Sequence, residues 1–131
     1  MEALDPQTTR EVLERFYDFG DAIIRSVAID FHPPKANHRA TIVCSARDRD
    51  NDANWCNVTW YVNQLAECLV AEGRVTNIIL SQGLQIGWFS NKVYLDFAPY
   101  TVEPDDEEDF RRSGFYVSGA IATYEVGPYE E

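Results

Sequence analysis

The sequence predicts an α+β fold: an N-terminal helix packed on a curved, mainly antiparallel β-sheet of about six to eight strands. Three observations carry that expectation. Val12, Leu13, Phe16 and Phe19 recur at three- and four-residue spacing, the period of one helix face. From Trp55 to Asn63 the chain alternates, with Cys56, Val58, Trp60 and Val62 on one side and Trp55, Asn57, Thr59, Tyr61 and Asn63 on the other, the period of a strand. Much of the remainder falls into short apolar segments separated by turn residues, which suits antiparallel pairing. At 131 residues the elements fit a single domain, 1–131, large enough to bury a core without a metal or disulfide staple.

In chain order, the helix is expected over about residues 8–19, with Thr8 or Thr9 as its cap and Gly20 as its end. A strand follows from Ala22 to Phe31, placing Ile23, Val27, Ile29 and Phe31 on one face with Arg25 interrupting them. Residues 32–38 hold Pro33 and Pro34, which have no N–H to give a ladder, so they form a loop into a strand from Ala40 to Ala46. Arg47 to Asn54 is a polar loop before the alternating strand. Gln64 to Glu72 admits a helix or a strand, and we read it as strand. Val75 to Leu80 and Leu84 to Phe89 are apolar segments parted by Ser81-Gln82-Gly83. Ser90-Asn91-Lys92 then makes a hairpin turn into Val93 to Phe97. The acidic connection 103–109 is compatible with one helical turn that starts at Pro104. Phe115 to Val126 closes the sheet, with Gly119 marking a bulge or a close contact, and Pro128 and the Glu130-Glu131 end are expected to fray.

Charge excludes some functions. Net charge is -11, and such an excess of acid repels phosphate backbones, which argues against nucleic acid as a partner. Apolar runs are far shorter than the roughly 20 residues that span a bilayer, which argues against a membrane role. Residues 1–6 carry neither a basic stretch nor an apolar core, so no secretory leader is expected and the cytoplasm is the expected home. Cys44, Cys56 and Cys68 are too few and too evenly scattered for a disulfide framework, and they lack zinc-site spacing. No pattern calls for a cofactor.

Few candidates for chemistry emerge. Asp48, Asp50 and Asp52 open like a calcium loop, but Ala53 stands where the turn needs glycine and Thr59 where a glutamate should close the cage. That segment reads as a solvated hairpin loop. Histidine occurs only at 32 and 38, beside the prolines, so a cysteine nucleophile lacks an obvious base and catalytic residues are expected to be none. Asp96, between Leu95 and Phe97, reads as a strand residue facing solvent or bonding a backbone.

The sharpest feature is the acid run. Glu103, Asp105, Asp106, Glu107, Glu108 and Asp109 place six carboxylates in seven residues. Such a run is either solvated surface or a surface that steers a basic partner. Trp55 and Tyr61 lie on the more polar face of their strand, where aromatic side chains either close a curved sheet or anchor an interface.

Phe16-Tyr17-Asp18-Phe19-Gly20-Asp21-Ala22-Ile23-Ile24-Arg25-Ser26-Val27, followed by alternating strands and Tyr94-Leu95-Asp96-Phe97, resembles small bacterial α+β families of uncharacterised function, some of them similar to immunity proteins of polymorphic toxin systems. The resemblance covers residues 12 to 126 and carries over no functional residue. It implies a non-enzymatic cytoplasmic protein whose work is binding. The function expected is therefore an acidic protein-binding module, an immunity-like inhibitor of a basic toxin, with Asp105, Asp106, Glu107, Glu108 and Asp109 steering and Trp55 and Tyr61 anchoring. A self-associating structural protein, with a homodimer as its form, is the alternative, and a small enzyme using carboxylates a third.

Overall fold

The computed structural model describes residues 1–34, 37–71, 79–99, 101 and 104–130. The sheet has eight strands: β1 (Glu2–Ala3), β2 (Ala22–Asp30), β3 (Arg39–Asp48), β4 (Asn54–Val70), β5 (Ile79–Leu80), β6 (Gln85–Phe89), β7 (Lys92–Asp96) and β8 (Phe115–Pro128). They run in the order β5-β2-β3-β4-β8-β7-β6, with β1 added to β8, and the sheet curls as a half-barrel. All the pairings are antiparallel. Helix is scarce: α1 (Thr9–Arg15) has seven residues and α2 (Glu107–Arg111) five. Among the described residues no helix is long and apolar enough to cross a membrane. Of the sequence expectations, the apolar segment at Val75, the acid Glu103 and the terminal Glu131 lie outside the described residues.

The N-terminal helix is shorter than its periodicity suggests. It ends at Arg15, and Tyr17, Asp18 and Phe19 have φ of 54°, 57° and 57°, a left-handed turn that no α-helix contains. This turn still delivers the fourth apolar residue to the core: the Phe16 and Phe19 rings lie 5.1 Å apart, and Phe19 meets Trp60 at 5.6 Å. Helical spacing was thus a true sign of burial and a false sign of helix length.

Strand β2 corrects another expectation. Its register against β3 shifts between Ile24 and Ser26, so Arg25 is an extra residue that resets the alternation. The inward set is consequently Ala22, Ile24, Val27 and Ile29, and Phe31 lies beyond the strand, exposed.

The ambiguous segment continues β4 as one 17-residue strand, although the clean alternation stops at Asn63. Gln64, with φ 52°, and a register shift against β8 between Leu65 and Glu67 bend it midway. Gly119 on β8 faces that bend, where a Cβ would stand 2.7 Å from Val62 Cγ1 and 2.8 Å from the Asn63 carbonyl oxygen. Only glycine lets the two strands close there.

The bend divides the sheet into two halves with different coverings. On the concave side the main core gathers Phe16, Phe19, Ile42, Val58, Trp60, Val62, Leu95 and Val117. On the other side of the second half, Tyr94, Tyr116 and Phe110 form a separate cluster with Phe89 packed against it. Tyr94 and Ser118 pair across β7 and β8, next to the inward pair Leu95 and Val117, so alternation alone assigns the two clusters to opposite faces.

Candidate functional site

The separate cluster is built around the acidic segment. Asp106, not Pro104, caps α2: its side chain accepts from the Asp109 N–H at 3.1 Å. Pro104 lies two residues upstream of the cap. Glu107, Glu108 and Asp109 fill the first turn and Arg111 the last, the arrangement a helix dipole favours. Phe110 points into the sheet, its ring 5.5 Å from Tyr94 and 5.8 Å from Phe89. Gly87 forms the floor, because a Cβ there would come within 2.5 Å of the Phe110 ring. Burying Phe110 contributes roughly 1.5–3 kcal/mol to holding the helix in place.

Polar contacts fix its orientation. Arg111 donates from Nε and Nη2 to the two oxygens of Glu67 at 2.9 and 3.1 Å, and from Nη1 to Glu108 at 2.8 Å. The Tyr94 and Tyr116 hydroxyls donate to the same Glu67 carboxylate at 3.2 and 3.3 Å. Tyr94 has one proton to give and shares it between Glu67 and Glu107, whose other oxygen accepts from Ser90 at 2.9 Å. The Arg111 guanidinium holds the Glu67 carboxyl below its usual range, while burial is the first cause of the raised Tyr94 hydroxyl. Bonds from Tyr94 and then Ser90 lower Glu107.

The acid run therefore separates into two kinds of residue. Glu107 is occupied by the sheet, and Asp109 accepts the Asp105 N–H at 2.9 Å. Asp105 just ahead of the helix, the cap Asp106 and the Arg111-paired Glu108 remain exposed, held at the start of a docked helix rather than on a bare linker.

Trp55 and Tyr61 lie elsewhere. Both are half-buried on the outer face of the first half, with Arg47 5.1 Å above Trp55 and Arg39 4.8 Å above Tyr61. Tyr61 donates to Glu125 at 2.8 Å, and Trp55 packs 6.2 Å from Tyr129. Measured along β4, Tyr61 is about 20 Å and Trp55 about 40 Å from Glu67, so neither joins the acidic helix in one patch. Residues 128–130 are held down here, where fraying was expected: Pro128 pairs with Cys56 in β8, Arg25 donates to the Tyr129 hydroxyl at 3.1 Å and Asn57 to the Glu130 carbonyl at 3.2 Å.

Asp48 is not the solvated loop residue its sequence context suggests. It is 3% exposed and both its oxygens accept from Arg15, each at 2.9 Å, which lowers its pKa. Asp50 joins Arg15 at 3.3 Å, and Asp52 sits in the turn with φ 56°. Arg15 and Asp50, but not Asp48 or Asp52, line a groove of about 710 Å³ between α1, β1 and the 49–51 turn, together with Glu2, Glu11 and Tyr124 among others. Among the described residues no three His, Cys, Asp or Glu side chains converge as metal ligands would.

Cys44 and Cys56 are buried in the core and Cys68 is exposed; burial pushes the Cys44 thiol up to about 12 and the Cys56 thiol up to about 11. Asp96 is 1% exposed and accepts the Ala98 N–H at 3.0 Å, a backbone bond. Its neighbour across the ladder, Gln85, has a buried Oε1 with no donor.

Glu67, Arg111, Tyr94 and Tyr116 escaped the sequence reading. The one available signal was tyrosine at Tyr94 and Tyr116, each flanked by apolar residues on both sides in sequence, since a buried hydroxyl needs a partner. The chain matches no family model, and no curated protein or solved structure is significantly similar to it.

Proposed function

We propose that this is a non-catalytic binding protein that takes a basic protein partner on the acidic α2 surface, in the manner of an immunity protein that inhibits a basic toxin. The observation that carries the reading is the docking of α2 by Phe110 over Gly87 and by the Arg111–Glu67 pair. A tethered linker would smear its charge over many positions. Carboxylates on a fixed helix instead present negative potential in one orientation, which steers encounter and then registers the complex. Asp105, Asp106 and Glu108 face the partner in this reading, while Glu107 keeps the surface in shape.

The test is association kinetics against a panel of cationic bacterial toxin domains, with lysozyme as a basic control. The variant is D105N/D106N/E108Q/D109N, which leaves Glu107 in place and retains an amide cap at 106. One toxin domain is expected to bind saturably, and the variant to associate about tenfold more slowly at low salt, with a shallower salt dependence. Equal on-rates for variant and wild type, or binding no better than to lysozyme across the panel, overturn the proposal.

A further inference from the structure

We propose that the basic partner docks by adding a strand: an extended segment with a lysine or arginine between apolar residues pairs with the open edge of β4 from Ala66 to Val70. The inference rests on the basic-partner reading and gives it a docking geometry. Strand β3 pairs with β4 only as far as Asn63, and the last bond on that side runs from the Leu65 N–H to the His38 carbonyl at 3.1 Å. Beyond it β4 has β8 on one side and, among the described residues, no strand on the other. The Ala71 N–H donates to the Gly114 carbonyl at 2.8 Å, so Glu67, Leu69 and Ala71 direct their backbone groups to β8. Cys68 and Val70 direct theirs the other way, and among the described residues those N–H and C=O groups meet no backbone partner.

Open edges are commonly protected by lysine, proline or an inward charge. Residues 65–70 contain neither lysine nor proline, and their one charged side chain, Glu67, is taken up by Arg111. Leu69 is 42% and Val70 47% exposed, with Cys68 exposed beside them. Charge decides what kind of strand fits. Glu67 stands on the edge strand itself and joins Glu107 and Glu108 around Arg111, at 2.9, 3.4 and 2.8 Å. Residues 105–112 with Glu67 and the neighbouring Lys92 hold six carboxylates against three bases. A base on the added strand beside Glu67 meets this excess, whereas residues 65–70 of a second copy would bring an acid and no base. Alternation sets the rest: Leu69 shares a face with Tyr116, and Cys68 and Val70 share the opposite face with Val117 and Phe115, so apolar residues flank the base.

The probe is a peptide of alternating threonine and valine with lysine at its centre, and the readout is the rate at which a thiol reagent labels Cys68. Binding should saturate below about 1 mM and slow labelling about tenfold. The same peptide N-methylated on the groups that face β4 keeps its charge and should leave the rate unchanged, and glutamate in place of its lysine should weaken binding about tenfold. On the protein, Val70→Pro removes an outward N–H and no bond to β8, and Leu69→Lys sets a like charge against the peptide on an exposed side chain. Each should abolish protection while keeping a cooperative melt. Protection by the methylated peptide, protection by no peptide, persistence of protection in the folded Leu69→Lys protein, or protection that rises with protein concentration alone, as a second copy on the edge would give, overturns the proposal. A toxin domain that associates through the α2 acids but leaves Cys68 reactive in the complex overturns strand addition alone, whereas peptide protection with no binder in the toxin panel overturns the toxin reading alone.

Discussion

Asp96 allows a prediction whose sign runs against ordinary acid denaturation. Its carboxylate is 1% exposed, and among the described residues it forms no ion pair; burial is the main cause that pushes it from 3.8 up to about 6, while bonds from Ser113 and the Ala98 N–H oppose the rise. A carboxyl whose folded pKa is raised stabilises the fold most when protonated. Its contribution is therefore complete below 3.8 and is lost as pH rises through about 6. A separation of roughly two units, at 1.4 kcal/mol each, makes a penalty on the order of 3 kcal/mol above neutrality. Asp96→Asn removes it, and the new amide can donate to the orphaned Gln85 Oε1 across the ladder. Urea unfolding from pH 4 to pH 8 is the assay. The variant should be more stable than wild type by about 2–3 kcal/mol at pH 8, with the gap closing toward pH 4. Curves that run parallel across that range would refute the assignment of a buried, uncompensated charge to this position.

Two further outcomes follow from the packing. Gly87→Ala places a methyl within 2.5 Å of the Phe110 ring, so α2 should lift from the sheet at a loss of roughly 1–3 kcal/mol, read by calorimetry and by faster proteolysis after Phe110. Unchanged melting and cleavage would mean that the helix is held by other contacts. Of the three thiols, native protein should react at Cys68 alone with a thiol reagent near pH 8, with Cys44 and Cys56 reacting only on unfolding. Labelling of two or three thiols in the folded protein would contradict the burial of the core pair.

Legibility of this fold followed the range of the interactions. The alternating face of β4 could be read directly because all four of its inward residues, Cys56, Val58, Trp60 and Val62, are buried, and a period of two survives wherever one face is dry. Gly119 was read as a bulge or close contact for the same local reason. On β2, Val27 and Ile29 were read correctly, but the bulge at Arg25 puts Ile24 rather than Ile23 on their face, and Phe31 lies past the end of the strand. Asp48 looked like a loop acid because its partner, Arg15, lies 33 residues away in sequence. The Glu67–Arg111 pair spans 44 residues. Contacts of that separation depend on topology, which periodicity does not encode.

The same topology gives the acidic segment its character. Strands β4 and β8 are long enough to belong to both halves of the sheet, and past the bend at Gln64 and Gly119 the C-terminal part of β4 pairs with the N-terminal part of β8. The outer side there would expose Tyr94, Tyr116 and Phe89 together, an aromatic patch that water disfavours. A short helix with a single phenylalanine closes it, and that helix consists mostly of acids because its remaining faces are solvated and its N-terminus favours negative charge. Since Phe110 belongs to a cluster separate from the main core, losing its contacts should remove the ordered acidic display while β4, β8 and the concave core stay folded. In the proposed reading, binding by these carboxylates is tied to one aromatic side chain over one glycine, and a variant that loosens it should lose charge-steered association before it loses the fold.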